Sequence, residues 1–262
     1  MHSFGDASLL AIIFMAVAAL CAGFVDAIAG GGGLIQLPAL LIGLPKSETV
    51  QVLGTNKLSS VFGTSAAAIL YRRRVKPDLR FTMAMALPAL FGSMGGALLV
   101  AQIPTRAMRP FVFVLLVVVV IYTWLKPTLG AIESLRYSVQ RRIFIAVIAG
   151  AVIGFYDGIF GPGTGTFLML ILVAALGFAF LTASSMAKVV NVATNIGAIV
   201  VFGFHGVILW QLGLLLGLAN ITGGILGAKV AIRGGSALVR KVFLGVTVLL
   251  IIKVGIDTFT HW

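Results

Sequence analysis

Charge is scarce in this chain of 262 residues: only ten per cent are Asp, Glu, Lys or Arg, and just seven are acidic. One cysteine, Cys21, excludes an intramolecular disulfide, and within an apolar segment it is expected to pack rather than react. The three histidines, His2, His205 and His261, lie near the termini or at a loop. Neither they nor the carboxylates form a metal-ligand spacing, so no metal or cofactor is expected. An intramembrane enzyme needs a convergent acid, base or nucleophile, and the sequence offers none.

What remains is apolar. Sixty per cent of residues are hydrophobic and the mean hydropathy is +1.14, outside the range of water-soluble domains. Runs long enough to cross a bilayer recur at 8–28, 82–101, 111–125, 142–160, 209–230 and 242–259. The fold class is therefore an all-α polytopic membrane protein whose partner is the lipid bilayer. A net charge of +12 does not point to nucleic acid, because Lys and Arg gather in short loops between spans. The N-terminus lacks a basic leader, which predicts no removable signal peptide.

The chain repeats itself. Shifted by 131 residues without a gap, GFVDAIAGGGG from Gly23 falls on GFYDGIFGPGTG from Gly154. The same shift places Asp26 on Asp157, Lys57 on Lys188, Gly92 on Gly223, Gly96 on Gly227 and Arg109 on Arg240. Two units follow, 1–131 and 132–262, forming one membrane domain. Each unit reads as five helical segments. These run over 7–28, 34–44, 50–71, 80–101 and 110–125 in the first, and 142–160, 164–181, 184–204, 208–231 and 239–259 in the second. An odd number of crossings inverts the second unit relative to the first. With the N-terminus outside, the inner loops 72–80, 126–142 and 232–241 hold twelve cations, against three outside. A rival scheme makes 34–44 and 164–181 re-entrant, which leaves eight spans and the N-terminus inside. The segment after each glycine loop is expected to be short or broken, since eleven residues cover only about 16 Å.

Broken helices in inverted repeats build the central sites of secondary transporters. Here Gly31, Gly32 and Gly33, with Gly163, Thr164 and Gly165, can bring backbone amides close to an anion. The spacing Gly92-x-x-x-Gly96, and its copy at Gly223 and Gly227, instead predicts tight helix packing. Charges inside apolar segments cost about 2.5–3.5 kcal/mol each, so Asp26, Asp157, Lys57 and Lys188 need partners or a polar cavity. The two lysines are candidates to attract an anion. The two aspartates either couple protons or form structural ion pairs with the lysines. Asn56 lies beside Lys57, while Lys188, Asn191 and Asn195 recur at helical spacing and share a face, on a helix that also carries Thr194. Lys229 and Lys253 lie toward helix ends and can snorkel to headgroups.

The stretches GFVDAIAGGGGLIQLPALL, GTNKLSSVFGTSAAAILYRRR, GFYDGIFGPGTG and SSMAKVVNVATN resemble the TauE/SafE family of sulfite and organosulfonate exporters. The resemblance covers both repeats. It implies an inner-membrane transporter of small anions, often sulfur-containing. The expected function is thus a secondary transporter moving such an anion outward. An anion channel using the same site stands as the alternative, and the sequence leaves monomer and homodimer open. Pro162 and Thr164 in place of Gly31 and Gly33 make the two loops unequal.

Overall fold

In the computed structural model of the chain, residues 7–100, 117, 121, 124, 125 and 130–260 are described, and the expected segment 110–125 lies almost wholly outside them. Every element among the described residues is helical. Helix α1 spans Leu9–Ala29, α2 Gly33–Gly43, α3 Thr49–Arg74 and α4 Leu79–Leu99. Helix α5 spans Val139–Ile159, and α6, Thr164–Leu170, runs into a π-helical turn at Ile171–Ala175. Helix α7 spans Phe180–Phe204 and α8 Trp210–Thr260.

Side-chain caps set several starts. Ser8, Asp78 and Ser138 each accept a first-turn amide, from Ala11, Phe81 and Arg141 respectively. One expected boundary is corrected. The apolar run 164–181 is not one helix, because the π turn and Gly177 at φ +85° end it before α7 begins at Phe180. The segments 208–231 and 239–259 are two helices that follow one another within α8 and part at the non-helical Gly235 (φ +63°), as the sequence predicts. Cys21 is exposed on α1 rather than packed inside.

Among the described residues five helices, α1, α4, α5, α7 and α8, are long and apolar enough to cross a membrane. Helix α3 has the length, about 39 Å for 26 residues, but carries Thr55, Asn56, Lys57, Ser59 and Thr64 buried along it. Helices α2 and α6 fall short of the roughly 30 Å apolar core. Helix α2 folds back on α1: a Cβ on Gly32 would lie 2.6 Å from Ala22 O, and one on Gly43 would lie 2.6 Å from Met15 Sδ.

The contacts exchange under the 131-residue shift. A Cβ on Gly92 would stand 2.3 Å from Ala151 O, and one on Gly223 would stand 1.9 Å from Leu20 O. Gly96 and Phe155 O, at 2.2 Å, answer to Gly227 and Phe24 O, at 2.3 Å. These glycines therefore let α4 lie against α5, and α8 against α1, at backbone distance. Apolar packing obeys the same exchange. One core contains Ala67, Tyr71, Phe81 and Met85; the other contains their counterparts Ala198, Phe202, Leu212 and Leu216. The counterpart helices α3 and α7 run antiparallel, since Gly54 faces Phe202 and Ser184 Oγ lies 3.2 Å from Tyr71 Oη.

Large residues at the close approaches cannot be absorbed by side-chain rotation, because backbone stands opposite. Gly223→Ala is expected to push α8 from α1 and cost about 1–3 kcal/mol of stability. Gly245→Ala, with nothing within 4 Å of its Cβ, serves as the neutral control. Thermal unfolding in detergent measures both.

Candidate functional site

The two glycine loops cross at the centre of the contact between halves. A Cβ on Gly30, which has φ +76°, would lie 2.5 Å from the Gly165 carbonyl carbon. One on Gly165 would lie 2.7 Å from Gly30 Cα, so only two glycines allow this crossing. Each loop is anchored by a polar aromatic or its neighbour. Tyr156 Oη donates to Pro162 O at 2.6 Å, Tyr71 Oη donates to Ala27 O at 2.9 Å, and Ser184 Oγ donates to Ile28 O at 3.0 Å.

The four charges form two ion pairs, and both join one half to the other. Lys57 Nζ lies 2.6 Å from Asp157 Oδ2, and Lys188 Nζ lies 3.1 Å from Asp26 Oδ2. The pairs are repeat-related, yet their surroundings differ. Lys188 is 0 % exposed and also donates to the backbone carbonyl of Asp26. Asp26 Oδ2 accepts from Thr64 at 3.3 Å. Asp157 Oδ1 accepts from Thr164 Oγ1 at 2.6 Å.

Beside the crossing lies a polar cavity of about 30 Å³. Asp26, Asp157, Lys57, Asn56, Asn191 and Asn195 reach its wall, as do Gly31, Gly32, Gly33, Gly163, Thr164 and Gly165. Two residues named from the sequence do not. Lys188 is sealed in its ion pair, and Thr194 turns its hydroxyl to Asn191 O at 3.0 Å while its own carbonyl accepts from Ser93 Oγ at 2.7 Å. The helical spacing that grouped Lys188 with Asn191 and Asn195 thus holds for the two asparagines at the cavity and not for the lysine.

Among the wall residues that escaped the sequence reading are Asn220 and Gln36. Asn220 of α8 donates from Nδ2 to Gln36 Oε1 of α2 at 2.9 Å, which leaves Gln36 Nε2 as a buried donor with no protein partner. Asn56 Oδ1 is likewise buried and unpartnered. Unmet polar atoms of this kind are costly unless something occupies the space they line. Each is a lone carboxamide in an apolar helix, and that isolation is the signal by which sequence could have flagged it. The wall therefore carries one lysine and two aspartates beside several carboxamides and loop glycines, so that donors and acceptors both face the cavity.

Comparison with known proteins places the chain in a family. The family model for the sulfite exporter TauE/SafE matches residues 15–254. A probable membrane transporter protein, ORF9, from Sinorhizobium sp is 39% identical over 251 residues, covering 95% of this chain and 94% of that protein. The probable membrane transporter protein YfcA of Escherichia coli strain K12 is 33% identical over 261 residues, covering 97% and 94%. A probable membrane transporter protein of Haemophilus influenzae is 34% identical over 250 residues, covering 95% of each. No solved structure matches. The protein is a multi-pass membrane transporter rather than an enzyme, and its chain belongs to the sulfite exporter TauE/SafE family.

Proposed function

We propose that this transporter moves a small sulfur-containing oxyanion, such as sulfite or an organosulfonate, outward across the inner membrane. The observation that carries the reading is the cavity at the loop crossing, where Lys57 and the unpartnered Gln36 Nε2 meet glycine backbone. Sulfonate and sulfite oxygens accept from all three kinds of donor, while the family match supplies the sulfur. An inside-negative potential of 100 mV favours exit of one negative charge by about 2.3 kcal/mol, so export needs no further driving ion.

The architecture that suits this task is two inverted repeats, residues 1–131 and 132–262. Support comes from the antiparallel course of α3 and α7 and from the exchange of contacts under the 131-residue shift. The basic stretch Arg72–Lys76 and the α8 bend near Arg233 share one end, where Leu181 N donates to Ser236 Oγ and Tyr71 meets Ser184. By the bias of cations toward the cytoplasm that end faces inward, which leaves the N-terminus outside. The site lies where the two repeats interlock, the arrangement of alternating-access transporters, which favours a carrier over a channel.

Proteoliposomes with an imposed inside-negative potential test the proposal with labelled sulfite and a panel of sulfonates and carboxylates. Saturable efflux with counterflow is expected for a sulfur oxyanion. Unitary current steps would replace the carrier by a channel, and preference for a carboxylate would remove the sulfur assignment.

A further inference from the structure

We propose that the carboxylate of Asp157 is a tethered stand-in for the transported anion. It occupies Lys57 in the empty carrier and surrenders that lysine when an anion enters, whereas the pair Lys188–Asp26 stays closed throughout. The proposal rests on the anion-carrier reading above.

Charge requires a competition of this kind. The centre holds two lysines and two aspartates, each lysine already matched to a carboxylate of the opposite half. An entering anion adds a negative charge that no free cation among the described central residues awaits. It can gain a cation only by taking one from an aspartate, because an unpaired charge in a low-dielectric site is strongly disfavoured.

Space points the same way. The cavity is lined by both partners of the Lys57–Asp157 pair, so an entering ion meets that pair directly. Parting Lys57 from Asp157 both widens it and frees the cation on its wall.

The geometry then selects which pair opens. Lys188 lies off the cavity, wholly buried, and its ammonium holds both the carboxylate and the main-chain carbonyl of Asp26. Displacing it would break two charge-assisted bonds and unseat the end of α1. Lys57 stands on the cavity wall and meets the side chain of Asp157, not its main chain. Asp157 also has somewhere to remain when the lysine leaves, since the Thr164 hydroxyl already donates to its other oxygen at 2.6 Å. The first repeat has Gly33 at the position of Thr164, and the hydroxyl that reaches Asp26 is that of Thr64, at a longer 3.3 Å and on the same oxygen that Lys188 holds. The repeat has thus been specialised: one copy of the pair is a clamp, and the other is a gate that the anion itself opens.

A carrier with an internal competitor binds weakly and releases readily. Removing the competitor should do the reverse. In proteoliposomes, Asp157→Asn is expected to lower the KM for labelled sulfite about tenfold and to lower kcat as well, because release slows. A purely structural aspartate would lower the yield of folded carrier and leave KM where it was. An unchanged or raised KM in folded Asp157→Asn overturns the proposal. Absence of flux for sulfite and for every sulfonate in the wild type is a different result: it removes the anion-carrier reading and this proposal with it. Should Asp157→Asn fail to fold around an unpaired Lys57, the double variant Lys57→Gln, Asp157→Asn removes both charges. That variant is expected to fold and carry nothing, and transport with the wild-type KM would overturn the proposal.

Discussion

Lys188→Met is expected to leave little folded protein in the membrane. Its ammonium is 0 % exposed, and it ties α7 to the carboxylate and the carbonyl of Asp26 near the end of α1. Truncation removes one partner of a buried pair and strands the other, a change that costs about 3–5 kcal/mol. Against a total stability of about 5–15 kcal/mol, that is a third or more of what holds the fold. The loss is concentrated where the halves meet, because Ser184, one turn before Lys188, also donates to Ile28 O. Size-exclusion profiles of detergent-extracted protein should show aggregate in place of the monodisperse wild-type peak. The double variant Lys188→Met, Asp26→Leu should recover part of that peak, since an apolar pair of similar volume avoids the stranded charge. A single variant as well folded as the wild type would show that the pair is no clamp.

The sequence announced these four charges but not how they pair. Asp26, Lys57, Asp157 and Lys188 stood out because ionised groups are rare in apolar helices, and the 131-residue shift showed them to be two copies. Pairing within a copy and pairing between copies leave the same trace in a repeated sequence. Only the interlock of the halves decides that Lys57 meets Asp157 and Lys188 meets Asp26. The repeat comparison was blind to Gln36 and Asn220 for a related reason. Their counterparts are Phe167 and Ala89, so the shift offers no echo, although the two residues hydrogen-bond to each other across the site. The close-packing glycines were legible because four residues on a helix form one face, and Gly92, Gly96, Gly223 and Gly227 all stand against backbone oxygens. Helix ends were less legible where apolar residues continue through a break. The run over 164–181 gives no composition signal at the π turn.

Lys57→Ala should separate transport from folding. The variant loses the one lysine on the cavity wall, and removing the charged partner of a buried ligand costs about 2–5 kcal/mol of binding. Flux of labelled sulfite should therefore fall by about two to three orders of magnitude. Folding should suffer less than in Lys188→Met, for two reasons visible at the site. Asp157 keeps the Thr164 hydroxyl, and it borders a cavity of about 30 Å³ that water can enter to solvate the carboxylate. The lost methylenes and ammonium enlarge that polar space rather than open an apolar void. Paired assays of extraction and flux make the comparison direct: Lys188→Met loses the protein, and Lys57→Ala keeps the protein and loses the transport. If Lys57→Ala aggregates as Lys188→Met does, Lys57 is a second clamp and the anion must bind elsewhere. If it folds and carries sulfite at the wild-type rate, the carboxamides and glycine backbone hold the anion without a cation, and the charge competition at Asp157 falls as well.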